Sequence, residues 1–366
     1  MDLKEKIKTL PSSPGVYLMK DSLDNIIYVG KSKNLKSRVA SYFYNSKSHS
    51  PKVQKLVKNL KDFDYILTDT EFEAFILECR LIKEIKPRYN RLMKSTNCYV
   101  FIRLKVNVEY PDIEITSECN KEDGCLYYGP YTNRSTVERG INGIKECLKI
   151  LCNNSTRKAS SCLYYSLEQC IGMCLKDTPS DEYLAIFDNI LMLLNGRDNK
   201  IIDLIQDKMN SASEKFDFEA AAKYRDYLTA VDYIVNKAKV IEYTEKNKNI
   251  VILEPLENQI IKYYLIKGNK VLFSEKYTLT ASNHNELKAM LLKNIMLYFK
   301  DKALETSLKI SKEDVDEAQI IYSYLKSQFT NCSHAIIKKS WLSTPNNINM
   351  DKALDKLIKT QEDITN

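Results

Sequence analysis

The chain has 366 residues, 44% of them hydrophobic and 28% charged, with a net charge of +7. At domain sizes of about 100–200 residues this is room for two to four domains with ample core. No apolar run is long enough to span a bilayer, and the start, Asp2-Leu3-Lys4-Glu5-Lys6, is charged where a signal peptide would turn apolar, so membrane and secreted readings are set aside. Ten cysteines without an export signal read as thiols or ligands rather than disulfides. Three scattered histidines (His49, His284, His334) disfavour His-based triads and His-rich metal sites.

Charge is unevenly placed. Residues 1–100 hold 19 basic and 11 acidic side chains, a balance of +8, while the other 266 sum to −1. Between Lys31 and Lys61 lie nine basic residues and no acid, interrupted by Tyr42, Phe43 and Tyr44. Such a surface suits a polyanion, because Lys and Arg release counterions from phosphates and aromatic rings can stack on bases. Lys33, Lys36, Lys52, Lys55 and Lys58 are the candidate DNA contacts. The plainer reading is a solvated helix face; the complete lack of acids favours nucleic acid.

In chain order, residues 15–19 and 26–30 read as paired strands with a turn over Lys20 to Asn25. Ser32 offers an N-cap, and Leu35, Val39 and Phe43 recur at helical spacing. A second helix is predicted from Glu71 to Lys86, with Phe72, Phe75, Ile76, Cys79, Ile82 and Ile85 inward and Pro87 ending it. Residues 98–196 mix short strand-like stretches with eight of the ten cysteines, and 197–238 read as two helices joined near Ser213 to Asp217. Strands return at Ile250–Leu253, Gln259–Ile266 and Val271–Leu279, with a turn at 267–270, and two helices follow near 285–299 and 313–327. The class is α/β (α+β), divided at 1–97, 98–196, 197–238 and 239–366, without a fixed-period repeat.

The first segment gathers chemistry. Placed on the helix after Ser32, Lys31, Arg38 and Tyr42 fall on one line beside the apolar stripe, and Tyr28 and Tyr17 sit in the strands before it. Glu78 has no basic neighbour three or four residues away on its own helix. A carboxylate at a core margin near a cationic cluster suits a divalent metal. From spacing alone the plainer reading is favoured: Tyr17 and Tyr28 as packing residues, Glu78 as a solvated acid.

Gly15-Val16-Tyr17 and Tyr28-Val29-Gly30 resemble the GIY-YIG nuclease signature, with Val for Ile in both halves. With Pro14, Lys31, Arg38, Ser41-Tyr42-Phe43, Glu71-Phe-Glu-Ala-Phe-Ile-Leu-Glu78 and Ile85-Lys-Pro-Arg-Tyr-Asn90, the ordered series resembles the amino-terminal nuclease of the UvrC family of the ABC excinuclease. Tyr128-Gly-Pro-Tyr131 followed by Cys152, Cys162, Cys170 and Cys174 resembles that family's four-cysteine module, which implies a [4Fe-4S] cluster. Spacing alone leaves zinc, iron–sulfur or buried thiols open, and Ser161 and Met173 stand where the family usually shows Pro. The other cysteines (79, 98, 119, 125, 147 and 332) read as core or incidental. Leu204, Met209, Ala212, Phe216 and Phe218-Glu-Ala-Ala-Ala-Lys-Tyr-Arg-Asp226 resemble the UVR motif, the helical hairpin that in this family pairs with the helicase UvrB; Phe216, Phe218, Glu219, Ala222 and Arg225 are the candidate contacts. Two short helices with Ala221 and Ala222 at their crossing bury little alone, so a partner is expected; a hairpin packed on its own chain is the alternative.

The resemblance implies a cytoplasmic, nucleoid-associated endodeoxyribonuclease of nucleotide excision repair that cuts damaged double-stranded DNA 3′ of a lesion in a UvrB–DNA complex. One Mg²⁺ or Mn²⁺ is expected at Glu78 and Tyr28 as the base, with Lys31 favouring its phenolate. Arg38 is expected on the phosphate, and Tyr17, Tyr42 and Asn90 as orienting groups. All nine glycines lie at or before Gly268, and no strand carries a central Asp with acidic partners. The family's second, RNase H-like nuclease and its helix-hairpin-helix are therefore expected to be missing, and 239–366 resembles only the segment leading into them. The alternatives are a non-cutting, UvrB-binding regulator and a mobile-element type GIY-YIG nuclease.

Overall fold

The computed structural model describes residues 3–43, 49–90, 99–108, 111–120, 122–151, 163–172, 181–278, 284–300, 314–326, 331–344 and 347–365. The chain divides into two compact units, one formed by residues 1–95 together with 243–366 and the other by 96–242. The fold is mixed α and β, as the sequence implies, in small sheets packed by many helices. No described helix is long and apolar enough to cross a membrane.

The first segment runs α1 (Leu3–Lys8), β1 (Gly15–Lys20), β2 (Ile26–Ser32), α2 (Leu35–Ser41), α3 (Pro51–Asn59), β3 (Asp62–Leu67) and α4 (Glu71–Ile85). The three strands form an antiparallel sheet in the order β2-β1-β3. The hairpin is where the sequence puts it, its turn closed by Asp21, whose carboxylate accepts the Leu23 and Asn25 amides. The next helix starts later than expected. Ser32 still belongs to β2, and Asn34 is the N-cap, its side chain accepting the Ser37 amide at 2.9 Å. Lys31 is thus a strand residue, and the helical line through Lys31, Arg38 and Tyr42 does not exist. β3 and α3 escaped the sequence reading, because the basic run hid α3 and β3 exposes most of its side chains.

The motif glycines have a steric reason. A Cβ on Gly30 would sit 2.3 Å from the Tyr17 hydroxyl, because the Tyr17 ring lies across the strand partner directly opposite it. A Cβ on Gly15 would sit 2.4 Å from the Ile66 carbonyl oxygen, so the close approach of β3 to β1 requires glycine there.

α4 begins at Thr70, whose hydroxyl accepts the Glu73 amide, with Glu71 and Glu73 in the first turn where the helix dipole favours them. It ends in a left-handed Lys86 before Pro87. Ala74 and Ile82 pack against Val16, Leu18 and Val29 of the β2-β1-β3 sheet. Phe72 and Ile76 pack instead against Ile250, Ile252, Tyr264, Ile266 and Ile321. Residues 239–366, set apart in the sequence reading, therefore share a core with the first segment from 243 onward.

The second unit holds β4 (Val100–Lys105), β5 (Asp112–Thr116) and β6 (Leu126–Tyr131) in the order β5-β4-β6, then α5 (Arg134–Cys147), α6 (Leu163–Ser166), α7 (Asp181–Leu194), α8 (Lys200–Glu214) and α9 (Phe218–Glu245). α8 and α9 are the expected helical pair, joined through a left-handed Phe216 and capped by Asp217, whose carboxylate accepts the Ala220 amide at 3.0 Å. Their base is not free-standing. Ile201, Ile205, Val231, Ile234 and Val235 join Val137, Ile141 and Ile144 of α5 in one core, and Gly143 leaves room for the Tyr227 ring. Only the tip is bare, with Phe216 79% and Phe218 67% exposed.

Residues 243–366 add β7 (Asn249–Pro255), β8 (Ile260–Lys267), β9 (Lys270–Thr278), α10 (His284–Phe299), α11 (Val315–Lys326), β10 (Ser333–Ile337) and α12 (Ile348–Thr365). The four strands pair in the order β10-β7-β8-β9. One face of β7 and β8 is covered by α10 and α12; the other meets α4 and α11. A strand buried on both faces reads as a continuous apolar run, as Ile250–Leu253 does.

Candidate active site

The site forms where β1, β2, α2 and α4 converge. Tyr17, Tyr28 and Tyr42 cluster, with ring centroids 5.9–6.5 Å apart. The Tyr17 and Tyr42 hydroxyls hydrogen-bond at 2.8 Å, and both side chains are buried. The Arg38 guanidinium lies over the Tyr42 ring at 5.3 Å and faces the phenols. Burial drives the Tyr17 proton affinity well up, reinforced by Tyr42 and Tyr28. Tyr28 is pushed up by burial and then by its Tyr42 and Glu78 neighbours, while Arg38 pulls it back.

Glu78 projects from α4 to the same place. Its Oε1 accepts the Lys31 backbone amide at 3.0 Å, and its Oε2 has no hydrogen-bond partner among the described residues. Burial lifts its pKa above the ordinary carboxylate range, and the Lys31 amide and the charges of Lys31 and Arg38 recover only part of that cost. A carboxylate in this condition, one oxygen spoken for and the other open, suits a hard divalent cation that keeps most of its water shell. No cluster of three His, Cys, Asp or Glu side chains exists among the described residues, so a single protein carboxylate is the donor set on offer.

Two expected roles meet different geometry. The Lys31 ammonium pairs with Glu71 Oε1 at 2.6 Å and sits 3.6 Å from the centroid of the Phe75 ring, so the cation facing Tyr28 is Arg38. Asn90 is buried, and both ends of its amide are used on β2: Oδ1 accepts the Val29 amide at 2.9 Å and Nδ2 donates to the Val29 carbonyl at 2.8 Å. With the Tyr89 amide donating to the Ile27 carbonyl at 2.9 Å, this segment completes the free edge of β2. Asn90 holds the strand that carries Tyr28 and Lys31.

Lys33, Lys36, Lys55 and Lys58 are exposed and Lys52 half-buried, and none has an ion-pair partner among the described residues. Lys52 and Lys55 line a depression of about 290 Å³ with Arg88 and Tyr89, which adds the Arg88 guanidinium to the cations on this face. Tyr42 points into the core and Phe43 packs beside it, so neither offers a stacking face; Tyr44 lies outside the described residues.

Of the four module cysteines, Cys152, Cys162 and Cys174 lie outside the described residues. Cys170 is buried, and its sulfur accepts the Gly172 amide at 3.4 Å. One described thiol does not make a cluster site. Cys79 and Cys147 are core residues, Cys119 is exposed, and Cys125 and Cys332 are half-buried. At the hairpin tip Glu219 is exposed beside the two Phe rings, Ala222 is half-buried, and Arg225 pairs with Asp226 at 2.9 Å.

Comparison with known proteins bears on all three regions. The sequence matches the UvrC-like GIY-YIG domain over residues 13–91, the middle domain of the UvrC/Cho excinuclease over 99–193, and the UvrB/UvrC motif over 199–234. UvrABC system protein C of Alkaliphilus oremlandii is 34% identical over 337 residues, covering 90% of this chain and 54% of that protein. The protein of the same name from Clostridium beijerinckii is 34% identical over 375 residues, covering 99% and 60%. The chain thus spans somewhat over half the length of the curated relatives it matches. The GIY-YIG N-terminal endonuclease domain of UvrC from Thermotoga maritima, solved with its catalytic magnesium, is 37% identical, covers 24% of this chain and 96% of that domain, and has a TM-score of 0.23. The chain belongs to the UvrC family, matching its UvrC-like GIY-YIG domain, its middle domain and the UvrB/UvrC motif.

Proposed function

We propose that the chain is a metal-dependent DNA endonuclease of nucleotide excision repair that nicks one strand 3′ of a lesion in a complex of UvrB with damaged double-stranded DNA. The observation that carries this reading is Glu78, a half-buried carboxylate with one open oxygen, beside Tyr28 of the phenol cluster and the Arg38 guanidinium. Mg²⁺ or Mn²⁺ held there by Glu78 and water would supply charge to a phosphate oxygen and the leaving oxygen.

The chain's own groups do the rest. Arg38 sits where a guanidinium can pair with two phosphate oxygens and offset the charge that builds on phosphorus. Tyr28, once its own proton has left to solvent, takes the proton of the attacking water as a phenolate. Burial, Tyr42 and Glu78 hold its own proton on, so its work as a base depends on Arg38 and on charge neutralisation at Glu78. Tyr17 and Tyr42, hydrogen-bonded to each other, fix the Tyr28 ring and Arg38; Asn90 and Lys31 act as positioning residues, on β2 and on the first turn of α4. Lys33, Lys36, Lys52, Lys55 and Lys58, with Arg88, form a sequence-independent grip on phosphates. The bare Phe216 and Phe218, with Glu219, Ala222 and Arg225, form the UvrB-docking tip, since two large apolar side chains in water at one loop are a surface awaiting a partner.

The test is incision of an end-labelled, lesion-containing duplex by the purified chain with and without UvrB, in Mg²⁺ and in EDTA. A single UvrB- and metal-dependent nick on the 3′ side is expected. Nicking without UvrB, or at undamaged sites, would instead point to a nuclease of the mobile-element type.

A further inference from the structure

α4 is held from two sides, and only the inner side belongs to the nuclease sheet. The outer side carries a polar lattice as well as an apolar one. Lys262 of β8, with only 9% of its side chain exposed, reaches Asp69 at 2.7 Å and Glu73 at 2.9 Å, just before and within the first turn of α4. Asp69 also takes Lys276 of β9 at 2.9 Å, and Glu73 also accepts the Asp69 amide and the Ser274 hydroxyl. Next to this, the Tyr264 hydroxyl meets the Thr70 hydroxyl at 2.7 Å, on the residue that caps α4, and donates to Glu254 at 3.3 Å. Phe72 stacks on Tyr324 at 4.2 Å and meets Tyr264 edge-on at 5.1 Å. Further along, Glu317 of α11 lies 3.6 Å from Arg80 and 3.8 Å from Lys83.

Packing alone would not require this. Burying a lysine is costly, and apolar contact through Phe72 and Ile76 already glues the helix down. What the ammonium adds is register: one carboxylate just before the cap and one in the first turn, held by the same group, fix both the height of the helix and its rotation about its axis. Glu78 lies five residues beyond Glu73, roughly 7.5 Å along the axis, with no flexible joint between. The rotation of α4 therefore sets where Glu78 Oε1 meets the Lys31 amide and where Oε2 opens to the site.

We propose that the β7–β9 sheet is a positioning platform for the metal-binding helix, with Lys262 and Tyr264 as positioning residues for Glu78. This rests on the reading of Glu78 as the metal carboxylate. Groups bonded directly to a metal ligand are typically worth 10–100-fold in affinity; Lys262 acts through the helix and not on Glu78 itself, so the effect expected here is at the foot of that range, about tenfold.

The experiment uses the full chain with Lys262→Met, Lys262→Arg and Tyr264→Phe, and Glu78→Gln as reference. Mn²⁺ binding is read from the loss of the free-ion paramagnetic signal, and amide exchange is followed along α4 and β1. Lys262→Met is expected to weaken Mn²⁺ binding about tenfold and to speed exchange in α4 but not β1, with Lys262→Arg restoring most of both. Should Lys262→Met fail to fold, Tyr264→Phe, which removes one hydroxyl, carries the same expectation at smaller size. A lowered unfolding midpoint with unchanged Mn²⁺ affinity and unchanged α4 exchange would overturn the proposal. If wild type and Glu78→Gln bind Mn²⁺ alike, the metal reading of Glu78 fails. The positioning of α4 is then decided by exchange alone, and unchanged exchange refutes it.

Discussion

Replacing Asn90 by Ala separates a positioning role from a catalytic one. The buried Asn90 amide satisfies both the N–H and the C=O of Val29, itself fully buried. The substitution strips partners from two backbone groups at once, and each buried group left unsatisfied costs roughly 1–3 kcal/mol. Water entering along the β2 edge recovers part, leaving about 2–4 kcal/mol, which for a unit of this size lowers the unfolding temperature by about 5–15 °C. Calorimetric or circular-dichroism melting measures this directly. Incision is then assayed well below the new midpoint, where much of the activity is expected to survive because no group touching substrate has gone. Asn90→Asp should be no better at neutral pH, since it keeps the acceptor for the Val29 amide but sets a carboxylate against the Val29 carbonyl. An unchanged melting temperature with incision abolished would refute the reasoning, because the amide would then have to act on substrate or metal rather than on β2.

Three further outcomes follow from the same geometry. Gly30→Ala drives a methyl to 2.3 Å from the Tyr17 hydroxyl and 2.4 Å from its Cζ and should cost about 1–3 kcal/mol in urea unfolding, with Tyr17→Ala on top, which removes the ring, costing less than the sum of the two alone. Because burial raises the Glu78 pKa, its ionised form burdens the metal-free fold at neutral pH, and that burden disappears as pH falls below the ordinary carboxylate range. Glu78→Gln should therefore raise the melting temperature without metal at pH 7 but not in acid, and Mg²⁺ should stabilise wild type at pH 7 and not the variant. Lys55→Ala and Arg88→Ala should each weaken DNA binding alike on all sequences and reduce the slope of log K against log salt by about one, as read by fluorescence anisotropy.

How much of this was legible in the sequence depended on whether the signal was local. The hairpin, the Glu71–Ile85 helix and the two helices before and after Phe216 announced themselves through alternation, capping residues and apolar periodicity. Tyr17, Tyr28, Arg38, Tyr42 and Glu78, which the family resemblance groups and spacing alone does not, lie together. The partners of Lys31 and Asn90 were not legible, because Glu71 is 40 residues from the one and Val29 61 from the other, and no local rule sees such pairs. The start of α2 is ambiguous in the sequence because Ser32 and Asn34 are both good caps, and only the extended pairing of Ser32 with Gly15 decides between them. β3 was missed since its outward Tyr65, Ile66 and Leu67 blur the alternation that marks a half-buried strand. The continuous apolar run at Ile250–Leu253 hinted at burial on both faces, but nothing local said that one of those faces meets α4.

The most direct test of the central claim compares wild type with Glu78→Gln on an end-labelled, lesion-containing duplex with UvrB, in Mg²⁺ and in EDTA, with DNA and UvrB binding measured in parallel. Wild type should give one metal-dependent nick 3′ of the lesion, and Glu78→Gln should bind DNA and UvrB as wild type does while cutting about a hundred- to a thousandfold more slowly, the loss seen when a key group for transition-state charge is removed. Equal cutting by the two would remove Glu78 from the chemistry. A stable UvrB complex without any nick from wild type would contradict the nuclease assignment and leave a regulatory binder.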